Sequence, residues 1–327
     1  MLKSKLLIRA ATAGTLAVLF AGPAPAFTAY VTNEKDNTLS VIDTDKQEVL
    51  KTVKIGARPR GIILSKDGKW VIVCTSDDNV VQVYDSITLE FVKTLPSGPD
   101  PELLILHPDG KTLYIANEDD NLVTVVDIET GKVISDVPVG VEPEGMGMSP
   151  DGKVLVNTSE TTNMAHFIDT ATRKTFDNVL VDSRPRVAMF NSAGTQLWVS
   201  SEIGGVVTVI NPADRKIIGK VTFEIQGVAK EAIQPVGVRI TNDGTKAFVA
   251  LGPANRVAVI DTTTLKVEKY ILVGQRVWQM YFTPDDKFLL TTNGASNDVS
   301  VIDVTALKAV KSIKTGRYPW GIVISKE

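Results

Sequence analysis

GARPRGIILSKDGKWVIVCTSDDNVVQVYDSITLEFVKTLP, residues 56–96, is the stretch that decides the fold. It contains four runs rich in β-branched and aromatic residues, at 60–64, 70–74, 80–84 and 90–95, and polar turn residues separate them. The turn at 66–69 carries Asp67-Gly68, which supplies the positive φ that a tight hairpin needs. Four short strands joined by such turns predict one antiparallel sheet.

Copies of this unit continue to the end of the chain. They align on the residue that ends each third strand, at spacings of 42, 42, 42, 42, 50 and 42: Asp43, Asp85, Asp127, Asp169, Asn211, Asp261 and Asp303. A period of about 40–45 residues with four strands is typical of a β-propeller, because neighbouring sheets cover each other's apolar faces. The sequence therefore predicts an all-β protein, a seven-bladed β-propeller of four-stranded antiparallel blades.

The two ends of the repeat region predict how the ring closes. The region begins with a second strand at 29–32 and finishes with a first strand at 320–325. N- and C-terminal strands in one blade would close the ring and hide two sheet edges. The single long spacing, 50 residues, places a lengthened loop at 223–233, whose role the sequence leaves open.

Residues 1–26 have the pattern of a secretory signal peptide. Three basic residues precede a 12-residue apolar run at 10–21, and Ala24 and Ala26 fit an A-x-A cleavage site. The apolar run is too short to span a bilayer. We therefore predict a signal peptide at 1–26, a seven-bladed propeller at 27–327, and a periplasmic monomer without membrane insertion.

Composition and motifs exclude several function classes. The formal net charge is −3, and the absence of basic clusters argues against nucleic-acid binding. No G-x-S-x-G, H-E-x-x-H or P-loop motif is present, and we expect His107 and His166 to be strand residues. The only cysteine, Cys74, is expected in the core.

A candidate site lies on the face where the loops entering the first strands meet the loops between second and third strands; we name it the top face. The entering loops carry residue pairs that project together if the chain is extended: Arg58 and Arg60, Asp100 and Glu102, Glu142 and Glu144, Arg184 and Arg186, Gln234 and Val236, Arg276 and Trp278, Tyr318 and Trp320. The other loops add Glu34, Ser76, Glu118, Glu160, Glu202, Gly252 and Gly294.

These positions vary while the scaffold repeats, which favours a binding site. We predict that five arginines contact an anion or carboxylate and that three aromatic residues form an exposed planar surface: Arg58, Arg60, Arg184, Arg186 and Arg276, with Trp278, Tyr318 and Trp320. In the binding site, Glu102, Glu144 and Glu160 would orient the arginines or bind a cation. Two alternatives stay open. In the first alternative, Arg58, Arg60, Arg184 and Arg186 only pair with the neighbouring carboxylates and hold the blades in register. In the other, Ca²⁺ is held by the acidic residues Asp100, Glu102, Glu142, Glu144, Glu118 and Glu160.

Several motifs resemble known families. Tyr30-Val31-Thr32-Asn33 and the 42-residue period resemble the YVTN family of β-propeller repeats. GARPRG at 56–61, SETTNMAHFID at 159–169 and YPWG at 318–321 resemble the pyrroloquinoline-quinone (PQQ)-dependent catabolism-associated β-propeller proteins. The resemblance implies an exported accessory of PQQ-dependent alcohol oxidation. It also implies PQQ as a ligand, and a quinoprotein dehydrogenase or a transport-system component as partner.

The sequence thus predicts an accessory binding or scaffold protein rather than an enzyme. Its top face would bind a small anionic ligand or a partner protein. One alternative is a lactonase-like propeller hydrolase with a metal on the acidic part of the top face. Another is an envelope or surface-layer interaction module.

Overall fold

Residues 27–325 are described by the structure, a computed structural model, and the predicted signal peptide lies outside them. These residues contain 28 strands in seven four-stranded antiparallel sheets, as the repeat predicted. The innermost strands of successive sheets contact one another around a central channel. None of the described helices is long and apolar enough to cross a membrane.

Each blade runs from an innermost first strand to an outermost fourth strand. Blade 1 contains β1 (Thr28–Asn33), β2 (Thr38–Asp43) and β3 (Glu48–Lys54), and the last strand completes it. Blade 2 contains β4 (Pro59–Leu64), β5 (Trp70–Thr75), β6 (Val80–Asp85) and β7 (Phe91–Pro96). Blade 3 contains β8 (Pro101–Leu106), β9 (Thr112–Asn117), β10 (Leu122–Asp127) and β11 (Val133–Pro138). Blade 4 contains β12 (Pro143–Met148), β13 (Val154–Ser159), β14 (Met164–Asp169) and β15 (Lys174–Leu180).

The remaining blades follow the same order. Blade 5 contains β16 (Pro185–Phe190), β17 (Leu197–Ser201), β18 (Val206–Asn211) and β19 (Lys216–Thr222). Blade 6 contains β20 (Val238–Ile240), β21 (Lys246–Ala250), β22 (Arg256–Asp261) and β23 (Lys266–Leu272). Blade 7 contains β24 (Val277–Phe282), β25 (Phe288–Asn293), β26 (Asp298–Asp303) and β27 (Lys308–Lys314), and β28 (Pro319–Ile324) belongs to blade 1. Two short 3-10 helices lie at Ser76–Asp78 and Lys230–Ala232.

Ring closure occurs in blade 1. Strand β28 pairs antiparallel with β1, and Tyr30 lies opposite Val323. Beyond the paired residues, the Thr28 amide donates to Ser325 Oγ at 3.0 Å, and the Ser325 amide donates to the Thr28 carbonyl at 2.8 Å. The prediction that terminal strands share one blade is confirmed.

The core lies between blades. Aromatic side chains of the second strands are buried there, including Tyr114 and Trp198, as expected for packing residues. Cys74 is fully buried against Ile115 of the next blade, which confirms its assignment to the core. Each sheet thus buries its apolar residues only because its neighbours cover them.

The lengthened loop at 223–233 extends the core between blades 5 and 6. Phe223 and Ile233 are buried in the same cluster, and Ile225 and Val228 pack against it. The following first strand, β20, is only three residues long. The insertion therefore has a packing role.

Candidate functional site

A repeated asparagine positions the first residue of six of the seven top-face pairs. Its side-chain oxygen accepts the backbone amide of that residue in the next blade, at 2.8–3.2 Å: Asn37 to Arg58, Asn79 to Asp100, Asn121 to Glu142, Asn163 to Arg184, Asn255 to Arg276 and Asn297 to Tyr318. The asparagine and the residue whose amide it binds both have left-handed φ; for example, φ is 54° at Asn37 and 49° at Arg58. A left-handed backbone is costly for residues other than glycine, so the hydrogen bond from the asparagine stabilises a strained loop.

This geometry corrects one expectation. The backbone that carries these residue pairs is not extended, because the first residue of six pairs has a left-handed φ. The side chains of Arg58 and Arg60 still converge, since both contact Glu102. The asparagines recur every 42 residues from Asn37 to Asn163 and again from Asn255 to Asn297, with Gly205 between these runs and a 50-residue step after it; this repeat is a sequence signal for the loop geometry.

Arg58 and Arg60 form an ion network between blades 1, 2 and 3. Arg60 Nη2 lies 2.7 Å from Glu102 Oε2, and its Nη1 lies 3.2 Å from Glu34 Oε1. Arg58 Nη1 donates to Asp100 Oδ1 at 2.7 Å, and its Nη2 lies 3.1 Å from Glu102 Oε1. Burial alone would lower the pKa of Arg60, but the surrounding carboxylates outweigh it and raise that pKa. Arg60 is thus held as a buried cation.

Arg186 is the centre of a second network. Its Nη2 lies 2.7 Å from Glu144 Oε1, its Nη1 pairs with Glu160, and its Nε lies 3.7 Å from Glu202 Oε2. Arg186 is 3% exposed, and Glu144 and Glu160 are similarly buried. Burial opposes the charge of Arg186, but these carboxylates raise its pKa.

Arg184 and Arg276 extend the second network. Arg184 Nε lies 2.7 Å from Glu160 Oε2, and its side chain is 46% exposed. Arg276 Nη2 donates to Glu202 Oε1 at 2.7 Å, while its Nη1 donates to Gln234 Oε1 at 2.8 Å. Each of the five predicted arginines therefore has a carboxylate partner: Glu102, Glu144 or Glu160 contacts four of them, and Glu202 contacts Arg276. A direct anion contact stays a prediction; at the buried Arg186 it would have to displace a carboxylate, whereas Arg184 forms its ion pairs within residues 27–325 only through Nε.

The predicted exposed aromatic surface is wrong. Trp320 is fully buried and Trp278 is 8% exposed, while Tyr318 is half-buried. The guanidinium carbon of Arg60 lies 4.5 Å from the Trp320 ring, and that of Arg276 lies 4.1 Å from the Trp278 ring. Both indoles belong to first strands, where neighbouring blades close over them and cation–π contacts add to burial.

The top face has more carboxylates than guanidinium groups. Nine carboxylates contact the five arginines or lie beside their partners: Glu34, Asp77, Asp100, Glu102, Glu118, Glu142, Glu144, Glu160 and Glu202. Within residues 27–325, neither Glu118 nor Glu142 has an arginine partner. Glu142 Oε2 accepts the Thr161 hydroxyl at 2.5 Å. Within the described part of the chain, the groups of this face that no arginine neutralises are thus the carboxyls of Glu118 and Glu142.

Glu118 joins two groups of carboxylates with metal-binding spacing. One group also contains Asp100 and Glu102, the other Glu142 and Glu160, and in each group one oxygen per residue lies within 4.8 Å of the others. We call these five residues the acidic arc. Burial, followed by the charges of Glu102, Asp100 and Glu160, raises the pKa of Glu118 to about 8.

Five of the six predicted metal-binding residues therefore come together. Glu144 belongs to neither group; its ion pair is with Arg186. Burial comes first among the causes that raise the pKa of Glu144. The acidic arc offers hard oxygen ligands of the kind that Ca²⁺ takes.

Neither histidine belongs to the acidic arc. His166 is in β14, where its Nε2 accepts the Gly140 amide at 3.0 Å and burial lowers its pKa. His107 follows β8 directly, and its Nε2 lies 3.0 Å from the Gly152 carbonyl. Both have backbone partners, consistent with structural roles.

Comparison with known proteins supports the propeller assignment. The model of the YNCE-like beta-propeller family matches residues 71–327, and that of the cytochrome D1 heme domain matches residues 13–102. No curated protein matches the sequence.

Solved structures share the fold at low sequence identity. Hydrazine synthase from Kuenenia stuttgartiensis has a TM-score of 0.78 at 20% identity, covering 89% of this chain and 99% of that chain. A Bacteroides fragilis protein, provisionally named a 6-phosphogluconolactonase, has a TM-score of 0.77 at 21% identity, covering 92% and 98%. Dihydro-heme d1 dehydrogenase NirN, solved in complex with DHE, has a TM-score of 0.69 at 15% identity, covering 94% and 77%. At these identities the similarity shows the fold alone.

Proposed function

We propose that this chain, which belongs to the YNCE-like beta-propeller family, is an exported accessory binding protein that holds a divalent cation in its acidic arc. The observation that carries the proposal is the surplus of carboxylates around Glu118. The arginines of the top face already have carboxylate partners, so the available charge is negative. A hard cation such as Ca²⁺ would neutralise it through several oxygens.

The protonation of Glu118 supports the same assignment. A carboxyl group whose pKa is raised to about 8 is largely protonated at neutral pH, because burial and then the charges of Glu102, Asp100 and Glu160 disfavour its ionised form. A bound divalent cation supplies a positive partner and releases the proton. Cation affinity should therefore increase as the pH rises through about 8.

The exported location and the pathway rest on the sequence. The pattern of residues 1–26 supports export to the periplasm. The motifs at 56–61, 159–169 and 318–321 support an accessory role in PQQ-dependent alcohol oxidation, beside a quinoprotein dehydrogenase or a transport component. PQQ is a second candidate ligand, for which the partly exposed Arg184 is the most accessible guanidinium among the paired arginines of the second network.

Calcium titration tests the cation site. We expect isothermal titration calorimetry at about pH 8 to show Ca²⁺ binding by the wild type, and Glu118→Gln to weaken it by about 10-fold or more. Glu129→Gln is the matched control, because Glu129 is exposed and outside the acidic arc. Absence of Ca²⁺ binding, or equal affinity in Glu118→Gln, would overturn the proposal.

A lactonase-like hydrolase is the second candidate function. The metal-binding spacing of the acidic arc favours it, since a bound metal ion can lower the pKa of a water molecule and create a nucleophile. The Bacteroides fragilis neighbour shares the fold, which by itself carries no activity. A calcium-dependent release of acid from 6-phosphogluconolactone, lost in Glu118→Gln, would support this candidate; a calcium-loaded protein without such activity would reject it.

A further inference from the structure

Arg239, in β20, is an isolated cation in the lower half of the channel. The residues at the same register in the other first strands are all uncharged: Ile63, Ile105, Gly147, Met189, Tyr281 and Val323. The next register below, towards the face opposite the top face, is apolar in all seven blades: Leu64, Leu106, Met148, Phe190, Ile240, Phe282 and Ile324. The equivalent positions of the other six blades therefore give no structural reason for a charged side chain at Arg239.

The contacts of Arg239 leave its charge uncompensated. Its Nη1 donates to the Val238 carbonyl at 3.2 Å, and its guanidinium carbon lies 4.9 Å from the centroid of the Tyr281 ring. Its Nε is buried without a hydrogen-bond partner, and no carboxylate of residues 27–325 forms an ion pair with it. Burial lowers the pKa of Arg239, although the guanidinium remains charged at neutral pH.

The energetic cost of this arrangement points to a ligand. An ionised side chain that is partly removed from water, as Arg239 is, loses part of its hydration, and a counter-ion normally offsets that loss. Arg186, on the neighbouring first strand, has three carboxylate partners, whereas Arg239 has only a carbonyl and an aromatic face. The planar fork of Arg239 suits the two oxygens of a carboxylate.

We propose that the lower channel binds a monocarboxylate with an apolar body, and that Arg239 holds its carboxylate group. The apolar first-strand residues provide the remaining contacts, since Ile63, Ile105 and Met189 are only partly buried and can still cover a hydrocarbon. Nη2, which has no hydrogen-bond partner within residues 27–325, and Nη1 beside it supply the donors for the carboxylate oxygens. This site is separate from the acidic arc and does not depend on the proposed cation.

Octanoate is a suitable probe, because it combines one carboxylate with a hydrocarbon chain. We expect calorimetry to show octanoate binding by the wild type, and Arg239→Met to weaken it by about 10-fold or more. Arg317→Met is the matched control, since Arg317 is exposed and pairs with Asp36. Wild-type protein that does not bind octanoate, or Arg239→Met that binds it equally well, would overturn the proposal.

Further measurements keep the test decisive. Should Arg239→Met fail to fold, Arg239→Lys keeps the charge without the fork; weaker octanoate binding supports the site, and unchanged binding rejects the role of the fork. Octanol lacks the charge and inorganic phosphate lacks the apolar body, so either one binding as tightly as octanoate would overturn the assigned ligand class. Glu118→Gln should bind octanoate like the wild type, which separates this proposal from the cation proposal.

Discussion

The two ends of the channel differ in whether carboxylates neutralise an arginine of a first strand. On the top face, Arg186 is 3% exposed and has Glu144 and Glu160 as ion-pair partners. In the lower channel, Arg239 is partly buried without a carboxylate partner in residues 27–325. Both lie on first strands of adjacent blades. The comparison shows a fully buried guanidinium group whose charge is balanced by carboxylates on the top face, and a partly buried one in the lower channel that no carboxylate of residues 27–325 balances.

The same substitution at both ends gives the largest expected contrast. Arg186→Met leaves two buried carboxylates without their cation, so we expect the free energy of unfolding to fall by about 4 kcal/mol. Arg239→Met removes an uncompensated charge, and we expect a stability within about 1 kcal/mol of the wild type, or higher. Urea denaturation of both variants measures the difference. Equal losses would show that the two arginines have the same structural role.

Trp320→Ala tests whether the first-strand indole packed against Arg60 has a structural role. Trp320 is fully buried against the Arg60 guanidinium, so we expect a loss of about 3 kcal/mol in the free energy of unfolding. Phe91→Ala is the control, because Phe91 is 57% exposed and should cost about 1 kcal/mol or less. A loss as small as that of the control would restore the hypothesis of an exposed binding surface.

The third test concerns the pH dependence of stability. Glu118 has a pKa of about 8 when folded, against an ordinary value of 4.5, so between these values the folded protein holds more protons. The contribution of Glu118 to the free energy of unfolding therefore decreases as the pH rises through this window, by at most about 1.4 kcal/mol per pH unit.

Glu118→Gln should remove that decrease. Urea denaturation at about pH 5 and about pH 8, without calcium, compares the variant with the wild type and with Glu129→Gln. The difference between Glu118→Gln and the wild type, with Glu129→Gln as the reference, reports the effect of the Glu118 proton on stability. Parallel pH profiles for these two proteins would contradict the raised pKa.

The sequence determined the fold because the patterns that predict strands and turns involve residues close together in the chain. Strand alternation and the left-handed turn at Gly68, with φ of 73°, depend on residues a few positions apart. The 42-residue period then fixed the number of blades, and its phase at the two ends fixed the closure through β1 and β28. The sequence also located the top face and five of the carboxylates that come together there.

Only the tertiary structure decided which charges were satisfied. Arg60 and Glu102 are 42 residues apart, Arg186 and Glu160 are 26 apart, and Arg276 and Glu202 are 74 apart, across three blades. Such pairings depend on how blades meet around the ring, so the sequence alone left the arginines equally open to a ligand. The burial of Trp320 and the isolation of Arg239 have the same origin, because each depends on side chains that neighbouring blades place beside it.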